Sequence, residues 1–405
     1  MEKLRLFIKE KKGSFIPPIL IFLISFLIYY LTSFGKPTPF NNFVRLADAF
    51  IHGRLYILEN VPWLELAVYN NKFYTVPPPM PAILIIPIVY FLGLDTNQTI
   101  ASIFLGSLNA LLAFLIARSV TKNKSVQLWA TLMFVFGTIH WWVATSGDVW
   151  MFSQVTSVTF LFLAIYFSLK EKNPVLTGLL IGASYLSRLP TILSLPFFLA
   201  VYSDRWLEKS NEKVKTYKII IKPLLLLGFG VGIFIILNFI YNYARFGTIF
   251  DKSYYLIPGI LEESWYKKGI FDITYIPRHL NVILFAIPKF KSELPYIYPS
   301  WNGMSIWVTT PAFIYSFFAE IRNRLVIGCW ISILLIAFAD FTHGTWGFAQ
   351  FGYRFAVDFY PFLFLLTIKG IGDEIKWYHK LLIIIGVLVN LWGVLWIFKF
   401  GWTWY

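Results

Sequence analysis

The chain carries one cysteine, Cys329, and it lies inside an apolar run. No intramolecular disulfide and no cysteine-based metal site can be built from it. Acidic residues are scarce as well, 21 Asp and Glu in 405 residues. All charged residues together make up 14%, where a typical soluble domain has about 25%. Apolar residues supply 58% and aromatic residues 20%, which excludes a soluble enzyme and a disordered chain. No internal repeat, low-complexity stretch or separate soluble domain breaks the pattern, so residues 1–405 read as one integral membrane domain.

Scarcity of acid leaves a net charge of +14, which in a soluble protein would point to nucleic acid. Here most Lys and Arg sit in short segments between apolar runs, where they report orientation rather than a polyanionic partner. A spanning helix needs about 20 residues. Runs of suitable length lie near 15–34, 97–119, 125–145, 153–169, 222–244, 303–319, 325–340, 355–371 and 381–399. Two shorter pieces, 174–187 and 190–203, meet at Ser187-Arg188-Leu189-Pro190 as a helical hairpin, giving an all-α polytopic protein of about 11 spans. The basic stretch Met1 to Lys12 precedes the first run without a small-residue cleavage site, so the first span is expected to be retained.

The run Ala82 to Leu94 decides the topology. It is short and seeded by Pro79, Pro81 and Pro87, which favours an interfacial helix over a span. If it lies on the surface, the segments 118–124, 170–173, 204–222, 320–324 and 369–380 share one side with the basic N-terminus. They carry 16 Lys or Arg in 47 residues, the bias expected of a cytoplasmic face. The two longest connections, 35–96 and 245–302, then face outward from the plasma membrane. The aromatic string Trp402, Trp404 and Tyr405 also ends outside, as a headgroup anchor.

Candidate chemistry is concentrated in the outward segments. In the first, Asn41, Arg45, Asp48 and His52 share a helical face opposite Phe43, Leu46, Ala47, Phe50 and Ile51, and Gly53 supplies a stop. That pattern predicts an amphipathic helix on the membrane surface, with Asp48 either paired to Arg45 or free for chemistry. Downstream, Glu65 and Lys72 flank Asn70-Asn71, a turn between two short extended pieces, and a proline run follows. Asp148 is the only charge in Ala144-Thr145-Ser146-Gly147-Asp148-Val149-Trp150 and fits either substrate binding or simple matching of a helix dipole. Arg188, between two short helices, faces a cavity or an acidic partner. His140, beside Trp141 and Trp142, reads as an interfacial or packed histidine and not as a ligand. The second long connection offers Arg245 and Arg278, and the last outward segment offers Tyr353 and Arg354, with Asp358 one helical turn from Arg354 as its partner. Arginine near a cleft is suited to gripping phosphate through paired hydrogen bonds.

Taken in order, "NNFVRLADAFIHGRL", "YNNKFYTVPPPMPA", "TSGDVW", "GLLIGASYLSRLPTILSLP", "NYARFGTIFD", "WNGMSIWVTTPA" and "FGYRFAVDFYPFL" resemble the GT-C superfamily of membrane glycosyltransferases. That superfamily includes the protein O-mannosyltransferases and the aminoarabinose transferases acting on lipid A. The resemblance implies a polyprenyl-phosphate sugar donor, a glycan, lipid or protein acceptor, and inverting transfer at the extracytoplasmic face. It further implies Asp48 or Glu65 as first-loop acid, Asp148 as second acid, Arg188 as cavity cation and Arg354 as phosphate contact. Arg45, Lys72, Arg245, Arg278 and Tyr353 complete the candidate substrate and phosphate contacts. Many relatives place an Asp-Glu pair before the first-loop helix, where this chain has Phe40-Asn41-Asn42. The base is therefore Asp48 or Glu65, with Asp48 preferred. No ligand spacing demands a metal, although Asp48, Glu65 and Asp148 could converge on a divalent cation.

A transporter or lipid flippase is the alternative from another class, and a non-catalytic lipid-binding scaffold is a third. Transporters often show repeated halves, which this chain lacks. The topology is checked by cysteine labelling of intact cells with an impermeant reagent: a cysteine at Lys267 is expected to label and one at Lys213 to resist. The reverse result would invert the orientation.

Overall fold

The computed structural model describes residues 2–170, 173–209 and 216–402, with side chains from residue 16 onward except 204–209 and 216–220. Lys213, Trp404 and Tyr405 lie outside the described residues. The helices are α1 (Glu2–Ser33), α2 (Asn42–Ile51), α3 (Met80–Leu92), α4 (Gln98–Val120), α5 (Lys124–Phe136), α6 (His140–Ser146), α7 (Val149–Leu169) and α8 (Pro174–Tyr185). They continue as α9 (Leu195–Lys209), α10 (Thr216–Phe246), α11 (Ile276–Phe285), α12 (Ile306–Thr309), α13 (Arg324–Phe341), α14 (Tyr360–Ile371) and α15 (Trp377–Val394). Two small hairpins, β1–β2 (Ala67–Tyr69, Lys72–Tyr74) and β3–β4 (Lys289–Phe290, Ile297–Tyr298), are the strands among the described residues.

Among the described residues, six helical stretches are long and apolar enough to cross a membrane, and a seventh arises if α5 and α6, bent by 47°, count as one. The protein is a multi-pass helical membrane protein. The eleven spans expected from apolar runs are not reached by length. Residues 174–203 form a hairpin of short pieces. The expected span 303–319 is broken at Pro311 into the four-residue α12 and a 3-10 segment, Pro311–Phe318. Proline cannot donate to a helical ladder and disfavours helical geometry in the residue before it; Thr310 accordingly has φ −145° and ψ 68°. Residues 355–371 likewise divide into a 3-10 segment, Arg354–Phe359, and the buried α14.

Phenylalanine fills the centre. The rings of Phe134 of α5, Phe162 of α7 and Phe364 of α14 meet at tilted angles, with centroids 4.8 to 5.9 Å apart. His140 is buried as expected of a packed histidine, its Nε2 accepting from Asn109 Nδ2 at 3.1 Å. Around this core α7 packs on α4 and α8, and α8 on α10. The α8–α10 crossing is close because Gly178 and Gly230 face one another. A Cβ at Gly178 would lie 2.3 Å from the Leu227 carbonyl oxygen, and one at Gly230 would lie 2.4 Å from that of Val175. Small residues permit such backbone approach between membrane helices.

The amphipathic α2 forms where expected, but its apolar face does not lie against lipid. Phe43 meets Phe152 of α7 at 5.8 Å, and Ala82, Ile85 and Val89 of α3 complete that cluster. The exposed apolar surface belongs instead to α3, at Tyr90, Phe91 and Leu92. The first connection also folds its Asn-Asn turn as expected. Asn70 and Asn71 have φ of 49° and 56°, the pair of positive values a two-residue hairpin requires.

Gly178→Val is expected to destabilise the protein by about 1–3 kcal/mol through overpacking, read as earlier thermal unfolding in detergent. Gly228→Val on the facing helix α10, where a Cβ meets nothing within 4 Å, is the control. Equal effects would remove the crossing argument.

Candidate active site

The two long connections pack on each other over the ends of the helices. Tyr74 and Phe246 meet edge to face at 5.3 Å, and Ser253 donates to the Val76 carbonyl at 3.3 Å. The second connection is then tied to the segment after α13, where Gly344 N–H donates to Ile270 O and Asp272 N–H to Thr342 O, both at 2.8 Å. Glu65, Asp148, Arg188, Tyr254 and Arg354 thereby come into one electrostatic neighbourhood.

Arg354 is its centre. Its main chain is held on both sides by buried glutamines: Gln350 Oε1 accepts from Arg354 N–H at 2.9 Å, and Gln154 Nε2 donates to Arg354 C=O at 2.7 Å. Gln350 in turn donates to the Asn302 and Trp346 carbonyls, linking this clamp to the second connection. The guanidinium lies over Phe355 at 5.0 Å and Trp150 at 5.8 Å. Arg354 is 7% exposed, and its Nε and Nη1 are buried without a hydrogen-bond partner. Among the described residues no carboxylate lies within ion-pair distance of it. Burial, and then the nearby positive charge of Arg188, lower its pKa to about 10, so it remains a cation at neutral pH. A desolvated cation with unused donors is the electrostatic complement of a bound anion.

Arg188 is built differently. Its Nε and Nη2 donate to one oxygen of Asp358 at 2.8 and 2.7 Å, and Nη2 reaches Asp340 at 3.4 Å. The expected Arg354–Asp358 pair is therefore not formed. Residues 354–359 are a 3-10 helix with three residues per turn, so positions four apart diverge by about 120° instead of sharing a face. Asp358 turns to Arg188, and Arg354 is left unpaired.

Two carboxylates lie in the field of Arg354. Asp148 caps the start of α7, yet its side chain accepts from Thr38 and, at 2.8 Å, from Ser146 instead of from the helix. Burial raises its pKa, against lowering by those hydroxyls and by Arg354. Gly147 sets the approach to Asp148: its φ is +70°, and a Cβ there would lie 2.5 Å from Thr99 Cα. Glu65 is held in the left-handed region at φ 48°, a conformation costly for a non-glycine residue and common at functional positions. It is solvent-exposed, yet surrounding protein raises its pKa; Arg354 opposes that rise, and Glu263 adds to it.

The other candidates stand elsewhere. Asp48 bonds Arg54 at 3.2 Å and approaches His52 at 3.4 Å, while Arg45 donates to Asn41, so the suggested Arg45–Asp48 pair is absent. Lys72 is exposed over the Tyr56 ring. Arg245 is a buried latch to Thr75 and Asn242, with Asp251 at 3.7 Å. Arg278 donates to Trp265 O and covers Tyr275. Tyr353 donates to His279 Nδ1 at 2.7 Å, and His279 Nε2 donates to the His343 carbonyl at 2.9 Å. Burial lowers both histidines to about 4, so they are neutral at physiological pH. Asp48, Glu65 and Asp148 do not converge, and among the described residues no group of three or more His, Cys, Asp or Glu is placed to hold a metal ion.

Sequence reasoning passed over Asp340, Tyr254, Glu263 and Gln350. Asp340 carried a usable signal, as an acid inside an otherwise apolar span. The others gave none.

No family model and no curated protein matches the chain. In structure it is similar to ArnT from Cupriavidus metallidurans, solved with undecaprenyl phosphate. Identity is 11% and the TM-score 0.53, over 90% of this chain and 62% of that one. It is also similar to the Archaeoglobus fulgidus oligosaccharyltransferase in its apo form, with 14% identity and a TM-score of 0.47 over 93% of this chain and 55% of that one. The oligosaccharyltransferase AglB from the same organism, with an inhibitory peptide and dolichol phosphate, gives 14% and 0.46 over the same shares. The chain spans less than two thirds of the length of each of these proteins. The chain shares its fold with ArnT, consistent with the fold that the resemblance of the sequence strings implied.

Removing Arg188 strands Asp340 and Asp358, each of which already has one buried oxygen without a protein partner. Arg188→Met is expected to cost about 3–5 kcal/mol, measured as thermal unfolding in detergent. Adding Asp340→Asn and Asp358→Asn should recover most of the loss. A triple variant no better than the single one would contradict the pairing.

Proposed function

We propose that the protein is a membrane glycosyltransferase that takes a sugar from a polyprenyl-phosphate-linked donor and passes it to a hydroxyl acceptor at the extracytoplasmic face. The observation that carries this reading is Arg354, a buried guanidinium with two unpartnered nitrogens beside two carboxylates of raised pKa. The solved relative with undecaprenyl phosphate supports the same lipid class for the anion.

The chemistry needs little more. Arg354 holds the donor phosphate and stabilises the charge that grows on it as the sugar departs. A phosphate is a good leaving group, so no general acid is required. One carboxylate, Glu65 or Asp148, takes the proton of the acceptor hydroxyl as its oxygen bonds to the anomeric carbon and the carbon–phosphate oxygen bond breaks. A single displacement of this kind inverts the anomeric centre. Asp48 is less suited to the role, since Arg54 and His52 already engage its carboxylate.

Purified protein given a polyprenyl-phosphate sugar and acceptor is expected to release polyprenyl phosphate. Substituting the base, Glu65→Gln or Asp148→Asn, should lower turnover by about 10²–10⁴, and Arg354→Gln by about 10²–10³. The base works only when deprotonated, and the surrounding protein raises its pKa. Activity should therefore fall with decreasing pH along an acid limb centred above the ordinary carboxylate range, and that limb should vanish in the base variant. Full turnover by both acid variants would refute the assignment. Movement of a labelled lipid across liposomes without sugar transfer would establish the transporter reading in its place.

A further inference from the structure

The second connection carries a feature that neither the ion pairs nor the proposed reaction uses. Between Phe285 and Ile297, six large apolar side chains, Phe285, Ile287, Phe290, Leu294, Tyr296 and Ile297, are each between 42% and 76% exposed. They surround the β3–β4 hairpin, in which Lys289 pairs with Tyr298 and Phe290 with Ile297. Lys291 N–H donates to Tyr296 O at 2.9 Å within the hairpin, and Ser305 N–H donates to Ala286 O at 2.8 Å across its base. Hydrogen-bonded backbone can enter an apolar medium, and clustered apolar side chains left in water mark an interaction surface.

The hairpin is attached to the end of the last spanning stretch. Trp396 Nε1 donates to Ile297 O at 3.1 Å, and beyond it Phe400 and Trp402 stack at 4.5 Å. Tryptophan and tyrosine at the end of a span mark the headgroup level, so the lipid-facing surface of Trp377–Phe400 runs on into the hairpin. The charges around it, Lys289, Lys291 and Lys399 against Glu293, are net positive, which suits anionic headgroups.

We propose that residues 285–298 form a membrane-seated finger that inserts its apolar side chains into the leaflet on the side of the two long connections, with its lysines at anionic headgroups. The finger is joined at its base to the catalytic region: Gln350, which clamps the Arg354 main chain, also bonds Trp301 and Asn302 just beyond β4. Lipid contact therefore fixes the height of Arg354 above the bilayer. The proposal is independent of which reaction the site performs.

The test places an environment-sensitive fluorophore on Leu294→Cys or Phe290→Cys in lipid nanodiscs; native Cys329 is buried and does not compete for label. Lipids bearing a nitroxide on the upper acyl chain are expected to quench either label several-fold more than one on Lys267→Cys, an exposed position of the same connection. Adding Lys289→Glu and Lys291→Glu should reduce that quenching in anionic discs and leave it unchanged in zwitterionic ones. Water-like emission with equal quenching at all three positions would overturn the proposal. So would self-quenching between labelled copies that rises with protein density, since a second copy would then be the occupant.

Discussion

Taking a guanidinium out of water is the constraint around which the interior is arranged. Arg188 meets it with two acids, Asp358 and Asp340, and in doing so draws together the turn after α8, the end of α13 and the 354–359 segment. Arg354 meets it without a carboxylate. Its main chain is fixed by Gln350 and Gln154, and its charge rests over Phe355 and Trp150. One arginine thus holds the scaffold together and the other is held by it. The same 3-10 geometry produces both outcomes, because it rotates Asp358 away from Arg354 and toward Arg188.

The long connections follow from that arrangement. A loop over helix ends must satisfy its own backbone groups, and here the loops do so on one another. Arg245 and Ser253 from the second connection bond the Thr75 and Val76 carbonyls of the first, and Gly344 and Asp272 close the second against the exit of α13. This packing brings Glu65, from one connection, and Tyr254, from the other, into the field of Arg354. Glu65 itself is set in a left-handed conformation, which the surrounding packing must hold in place.

Much of the fold was legible where the signal is local. The amphipathic period of α2, the stop at Gly53 and the turn at Asn70-Asn71 need only a few adjacent residues and were read correctly. The break at Pro311 was also local and available, yet the surrounding apolar run outweighed it. Partnerships were the opposite case. A four-residue spacing means one helical face only if the segment is α-helical, and nothing in "YRFAVDF" announces a 3-10 turn. Asp340 lies some 150 residues from Arg188 in the chain, so their meeting depends on how α8 and α13 pack. Gln350 and Gln154 are ordinary residues in sequence and gain their role only from the tertiary contact.

The scarcity of acid turns out to sort the site. In so apolar a chain, the few carboxylates near the site divide into those met by a cation and those that are not. Asp340 and Asp358 are neutralised by Arg188, Asp48 by Arg54, and Asp251 approaches Arg245. Among the described residues, Glu65 and Asp148 have no cation within ion-pair distance. Asp148 is met only by the hydroxyls of Thr38 and Ser146. A close ion pair lowers a carboxylate's pKa and weakens it as a base, whereas burial without one has the reverse effect. In the proposed reaction, Glu65 or Asp148, which feel Arg354 only at a distance, would therefore keep the affinity to draw a proton from a hydroxyl, beside a cation that the donor phosphate would partner.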